Sequence, residues 1–226
     1  YKDAQFSKDG KGLYVLTDKD SEYLRLAYVD IESGVHQYLS PAVNWDVDKF
    51  TMSKDRSKIA FTLNEDGYSR LYVYDIESKS SRHIGHLGDG IVSSLLWHGN
   101  GNEVGFSFSS RTSPHDVYSL DVDTDVLRRW TSSETGGINP ETFDIPELVR
   151  WKSPDDVEFS GYMYKPKEGT HPGKRPVIIY FHGGPEGQHR PGFIGRNNYL
   201  INELGVAMVF PNVRGSTGYG KTFLKL

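Results

Sequence analysis

The sequence predicts a multi-domain chain, β followed by α/β. About three four-stranded blades of a partial β-propeller lead into a part built on buried strands and a helix. Three observations carry this expectation. A unit of 45 to 46 residues recurs over residues 1–132, a Gly/Pro/Thr-rich stretch ends the recurrence, and the pattern beyond it changes to strand, loop, helix, strand.

The recurrence is textual as well as periodic. FSKDGKGLYVL at 6–16 returns as MSKDRSKIAFT at 52–62 and, more weakly, as WHGNGNEVGFS at 97–107. At the same spacing YVDIESG at 28–34 becomes VYDIESK at 73–79 and SLDVDTD at 119–125. Within each unit, runs of Val, Ile, Tyr, Phe and Leu alternate with polar residues, the period-2 pattern of half-buried strands. Asp-Gly, Ser-Gly and Gly-Asn pairs supply the turns. Four short antiparallel strands in about 45 residues is the sequence form of a propeller blade. A plain β-sandwich with chance similarity competes, but the repeat holds at turns and strands alike. Three blades are too few to close a ring, since propellers typically have about four to eight. The segment therefore reads as the C-terminal blades of a larger propeller, with its first residue inside that domain.

Residues 133–146, containing ETGGINPETFDIP, read as a linker. Residues 147–226 then form the second part. Two apolar-alternating arms flank Ser153-Pro154-Asp155-Asp156 and predict a β-hairpin, with the paired acids as turn residues. RPVIIYF at 175–181 reads as a strand buried on both faces of a mostly parallel sheet. NNYLINELG reads as a helix with Leu200, Ile201 and Leu204 on one side and Gly205 as its C-cap, and VAMVFPN as a second buried strand.

Composition excludes several function classes. With a formal charge of −4 and no basic block, nothing advertises a nucleic-acid surface. There is no cysteine, so disulfides, thiolate metal sites and a cysteine nucleophile are out, though cytoplasm and periplasm both remain open. No apolar run approaches the roughly 20 residues of a membrane span. The eight histidines show no metal-ligand spacing, and no cofactor motif is read. Trp45, Trp97, Trp130 and Trp151 are expected to fill cores.

His182-Gly183-Gly184-Pro185 closes the first predicted buried strand. Two glycines there let the backbone approach a ligand and turn its N–H groups toward the sheet's carboxyl edge. In α/β-hydrolases an N–H from an HGG-type loop forms half of the oxyanion hole. Blades, a hairpin with SPDD at its turn, strand–HGGP, helix, strand and NVRGSTGYG together resemble the prolyl oligopeptidase family of serine peptidases. The branch of acylaminoacyl peptidases and bacterial dipeptidyl peptidases is the nearest in look. The resemblance is diffuse over 1–132 and specific over 175–222, with Glu186 where many relatives carry histidine. It implies that residues 147–226 are the N-terminal part of an α/β-hydrolase domain and that short peptides are the substrates. It implies Gly184 as the oxyanion N–H donor and Gly183 as the residue that permits the turn. Asn212 and Arg214 would brace the neighbouring loop or touch substrate, and His182 reads as structural. The Ser/His/Asp triad is expected outside this chain, because no G-x-S-x-G elbow occurs in it and Ser216 lacks the glycine two positions before. A catalytically inactive propeller-based binding protein and an esterase on the same scaffold are the alternatives.

One string asks for a different reading. Residues 215–222, GSTGYGKT, satisfy the phosphate-binding G-x-x-x-x-G-K-[ST]. In a nucleotide loop, however, the first glycine follows directly on its strand. Here Pro211, Asn212, Val213 and Arg214 intervene after VAMVF, and Tyr219 places a bulky ring inside the supposed cradle. The resemblance accounts for every residue from Asn212 to Gly220, so nucleotide binding is not expected.

Overall fold

The computed structural model describes residues 1–184 and 186–226; Pro185 of the HGGP motif lies outside the described residues. Each sequence repeat folds as a four-stranded antiparallel sheet in which consecutive strands are neighbours. The first comprises β1 (Lys2–Phe6), β2 (Gly12–Thr17), β3 (Arg25–Asp30) and β4 (His36–Tyr38). The second comprises β5 (Val47–Met52), β6 (Lys58–Glu65), β7 (Tyr68–Asp75) and β8 (Ser80–His83). The third comprises β9 (Ile91–Trp97), β10 (Glu103–Ser110), β11 (Ser113–Asp121) and β12 (Val126–Arg129).

The repeated text has a physical cause in its turns. Asp30, Asp75 and Asp121 each accept a hydrogen bond from the backbone N–H three residues on, at 2.8, 2.8 and 2.9 Å. Such Asx turns reverse the chain between the third and fourth strands of every blade. A second recurring turn sits between the first two strands. Ser7 Oγ donates to Asp9 and Ser53 Oγ to Asp55, both at 2.6 Å, with Gly10 and Arg56 at positive φ behind them. The hairpin between β6 and β7 turns on Asp66 (φ 46°) and Gly67 (φ 92°), the Asp-Gly pairing that a tight two-residue reversal favours.

Apolar cores lie between successive blades. Leu16, Leu26 and Tyr14 of the first sheet pack with Ile59, Phe61 and Leu63 of the second. Ala60, Leu71 and Val73 face Val92, Val104 and Leu120 of the third. Alternation along β6 thus feeds two cores from one strand, so it is buried almost throughout. The tryptophans meet the expectation of filling cores only in part: Trp97 packs against the core between the second and third blades. Trp130 is 58% exposed, with its indole N–H on Ser119 Oγ, and the other three are half-buried. Their polar N–H ends prefer the edge of a packed layer, as Trp97 shows by donating to the Thr51 carbonyl at 3.0 Å.

Where the chain leaves the third blade, fully buried Asp116 gathers its surroundings. It accepts from Ser113 Oγ and Thr131 Oγ1 (2.8 Å each), from Ser133 N–H (2.8 Å) and Oγ (3.0 Å), and pairs with Arg129. Burial alone would raise this carboxyl, but those hydrogen bonds hold it well below the usual carboxylate range.

The fourth sheet is mixed. Its strands are β13 (Glu147–Lys152), β14 (Glu158–Tyr164), β15 (Val177–Ile179) and β16 (Ala207–Asn212), in the order β13-β14-β16-β15. β13 and β14 form the hairpin read from SPDD, and its turn reuses the blade device: Ser153 Oγ donates to Asp155 at 2.5 Å, with Asp156 at φ 62°. β15 and β16 are parallel, joined through α1 (Asn197–Asn202). Gly205 (φ 66°) then reverses the chain into β16, and Val206 N–H bonds back to the Leu200 carbonyl at 3.0 Å.

Two expectations are corrected here. Leu204 is exposed, because the helix ends two residues earlier and only Ile201 and Leu200 reach the core. The strand at 175–181 is not buried on both faces; residues Val177 to Phe181 are all exposed. β15 is the last strand in the sheet order, while the core of Tyr162, Tyr164, Ile201, Met208 and Phe210 lies over β14 and β16. An apolar edge of this kind is one that folded sheets pair or cover. Among the described residues, no helix is long and apolar enough to cross a membrane.

Candidate functional site

Because β15 and β16 run parallel, the loops that follow them leave the same carboxyl edge. Residues 182–184 and 186–191 are therefore brought together with 213–220, and the contacts between them are specific. His182 Nε2 lies 2.9 Å from Ser216 Oγ. The Ser216 hydroxyl also lies 2.5 Å from the Val213 carbonyl, and His182 Nδ1 faces the Gly183 carbonyl at 3.1 Å. Thr217 N–H donates to the Gly187 carbonyl at 2.9 Å. Ser216 is fully buried with its hydroxyl held on both sides, so it is a brace between two loops rather than a free hydroxyl.

Asn212 is fully buried and works as a substitute strand partner. Its Oδ1 accepts from His189 N–H at 2.7 Å, and its Nδ2 donates to the His189 carbonyl at 3.1 Å and to Tyr219 Oη at 2.9 Å. Ser160 on β14 also donates to that phenol, at 2.9 Å. Arg214 points elsewhere, pairing at 2.7 Å with Asp155 in the β13–β14 turn. The structure thus gathers His182, Ser216, Asn212 and His189 and leaves Arg214 outside that group.

The two glycines differ in what they require. Gly184 has φ 141°, and a Cβ built there would lie 2.7 Å from the Glu186 nitrogen and 3.0 Å from that of Gly187. At Gly183 a Cβ meets nothing within 4 Å. The steric demand of the turn falls on Gly184, not on Gly183 as the sequence reading had it. An HGG string alone does not tell which of its glycines carries the unusual dihedral.

His189 stacks on Phe210 with ring centroids 4.1 Å apart, and its Nε2 is buried without a partner. Burial, and to a lesser extent the charge of His182, push its pKa down to about 4. The ordinary value for histidine is about 6.5. A base held below its unfolded value lets the unfolded chain take up the proton first. Its stabilising share is therefore complete above about pH 6.5 and lost as pH falls toward 4. His189→Phe, which keeps the stacking, is expected to be more resistant to urea than the native protein at pH 5, the gap closing above pH 7.5. A gap that does not change with pH contradicts this assignment.

The string GSTGYGKT binds the protein itself. α2 (Lys221–Leu224) begins at its end, and Glu22 from the loop between β2 and β3 occupies that N-terminus. The Glu22 carboxylate accepts from Thr222 N–H at 2.6 Å and Thr222 Oγ1 at 2.9 Å; Lys221 Nζ donates to the Asp18 carbonyl at 3.2 Å. The lysine and threonine that would hold a phosphate and its metal are thus engaged with the first blade. A second bridge joins the second blade: Arg150 pairs with Asp66 at 2.6 Å, and Tyr162 Oη donates to the Asp66 carbonyl at 2.6 Å. Burial raises the Asp66 carboxyl despite the pull of Arg150. These contacts between the fourth sheet's part and the blades carried no sequence signal beyond the Asp-Gly turn. Among the described residues, no group of three or more metal-binding side chains occurs.

Residues 2–133 match the family described as prolyl oligopeptidase, N-terminal beta-propeller domain. The chain belongs to the prolyl oligopeptidase family. Relatives include a prolyl endopeptidase of Elizabethkingia meningoseptica, 25% identical over 94% of this chain and 30% of that protein. A probable dipeptidyl-peptidase 5 of Emericella nidulans is 26% identical over 95% of this chain and 31% of its own length. The chain thus spans about a third of the length of these relatives. A puromycin-hydrolyzing peptidase of Mycobacterium tuberculosis superposes with a TM-score of 0.85 at 20% identity, over 98% of this chain and 35% of that one. At that identity the likeness speaks for the fold.

Proposed function

We propose that this chain is the junction of a serine oligopeptidase, with residues 1–132 as propeller blades, 133–146 as linker and 147–226 as the beginning of an α/β-hydrolase domain. The observation that carries the reading is Gly184, held in a glycine-only turn at the carboxyl edge of a parallel strand pair in a chain of this family. Backbone N–H groups in such a place stabilise the oxyanion of acyl transfer. The mixed order β13-β14-β16-β15 and the bare apolar edge of β15 suit a sheet that continues beyond it. Asn212 and the His182–Ser216 bond hold the two loops at that edge. Arg214 fixes the β13–β14 turn. The attacking serine, its histidine and its aspartate belong to the rest of the full-length enzyme. Peptides short enough to pass the propeller are the substrates.

The full-length protein is expected to hydrolyse short chromogenic peptide or acyl-peptide substrates. Hydrolysis of carboxylic esters with no turnover of any peptide favours an esterase. Absence of both activities, in a protein that binds peptides, favours a propeller-based binding protein.

A further inference from the structure

Residues 186–193 form no helix or strand, yet they are tied to the propeller by side chains on both sides. Asn64 Nδ2 donates to Gln188 Oε1 at 2.7 Å. Arg190 spreads its guanidinium over the second blade: Nε donates to the Gly67 carbonyl at 2.6 Å, Nη1 to Asp48 at 2.7 Å and Nη2 to Ser69 Oγ at 3.0 Å. Three donors of one rigid planar group thus meet three acceptors on two strands and the turn between β6 and β7. The loop approaches that turn closely, since a Cβ at Gly67 would stand 3.0 Å from Pro191 Cδ. Ser69 in turn accepts from Val92 N–H at 2.9 Å, which anchors the guanidinium where the second and third blades meet. Phe193 N–H continues the lacing onto Ser109 Oγ of the third blade at 3.2 Å.

We infer that Arg190 is a positioning residue: through its three contacts on the second blade it fixes residues 187–191, and so sets where the Gly184 N–H stands relative to the reacting carbonyl. The inference rests on the oxyanion role proposed above for Gly184. On the sheet side, the His182–Ser216 bond, the Thr217–Gly187 bond, Asn212 and the stacking of His189 on Phe210 restrain the described residues of this stretch. Those hold the loop to its own sheet but leave its far end dependent on the propeller. Displacing a catalytic donor by about 1 Å can cost about 10²-fold in rate. A residue that acts on geometry in this way moves kcat more than KM.

The test uses the full-length enzyme, with Arg190→Ala, Arg190→Lys, Asp48→Ala and the double variant. Arg190→Ala is expected to lower kcat about 10- to 100-fold, within the range for a misplaced donor, while KM stays within about threefold. Arg190→Lys keeps the charge beside Asp48 but loses the fork, and recovers part of the rate. In Arg190→Ala, adding Asp48→Ala costs less than about twofold more, because the pair acts as a unit. Hydrogen exchange of residues 182–189 is expected to quicken about tenfold, with β16 unchanged. This exchange measurement reads the loop directly and does not need turnover. Should Arg190→Ala fail to fold, Asp48→Ala alone carries the test from the propeller side, with the same drop in kcat and the same faster exchange. A folded Arg190→Ala with kcat within twofold of native and unchanged exchange overturns the inference and leaves the peptidase reading standing. A native enzyme that cleaves no peptide and takes up no serine-directed phosphonate removes both.

Discussion

Gly184→Pro in the full-length enzyme is expected to lower kcat by about 10²–10³, the loss seen when one oxyanion donor is removed. Proline has no N–H to offer, and its ring fixes φ near −65° where Gly184 has 141°. The substitution therefore removes a donor and strains a turn at once, and two companions separate the effects. Gly184→Ala keeps the N–H, but its Cβ would lie 2.7 Å from the Glu186 nitrogen, so it reports the strain. Gly183→Ala enters open space and is expected to stay within about threefold of native, well short of the loss of a donor. Circular dichroism and slow phosphonate labelling verify that the Pro variant is folded. If a folded Gly184→Pro enzyme has native kcat, this N–H does not hold the oxyanion.

Asp116→Ala is expected to destabilise the propeller by about 3 kcal/mol, read as a lower urea midpoint at unchanged slope. The carboxylate is buried and accepts from Ser113, Thr131 and Ser133 while pairing with Arg129. Its loss leaves several donors without partners at the point where the chain exits the third blade. The pH dependence has a definite sign. A carboxyl held below its unfolded value contributes fully above that value, about 3.9 for Asp, and loses its contribution as pH falls further. The difference between native and Asp116→Ala should be flat from pH 5 to 8 and shrink in more acid solution. A difference that persists undiminished at pH 2 contradicts this account of the site.

The blades were legible because their turns are local. Asp-x-x-Ser and Ser-x-Asp write the same side-chain-capped reversals in the first two repeats, Asp121-x-x-Thr124 keeps one of them in the third, and alternation marks the strands between them. The hairpin at 153–156 was legible for the same reason, since it carries the same turn. The burial of β15 was misread because a run of Val, Ile, Tyr and Phe states only that a strand is apolar. Whether its faces are covered depends on what stands beside it, which is non-local information. The His182–Ser216 brace and the Arg190 clamp were illegible for a related reason. Histidine, serine and arginine on loops have no periodicity, and their partners lie on other elements or in the other half of the chain. The GSTGYGKT string shows the converse failure. Its residues match a phosphate loop, yet Glu22 supplied from the first blade already fills the anion's place.

The central claim is that this chain supplies the oxyanion loop of a serine peptidase whose nucleophile lies elsewhere in the same polypeptide. Reacting the full-length protein with a serine-directed peptidyl phosphonate and locating the adduct by mass spectrometry tests it most directly. The account predicts one adduct, on a serine within a Gly-x-Ser-x-Gly sequence outside residues 1–226, formed more slowly in Gly184→Pro. No adduct on a folded protein, or an adduct on Ser216, would contradict it.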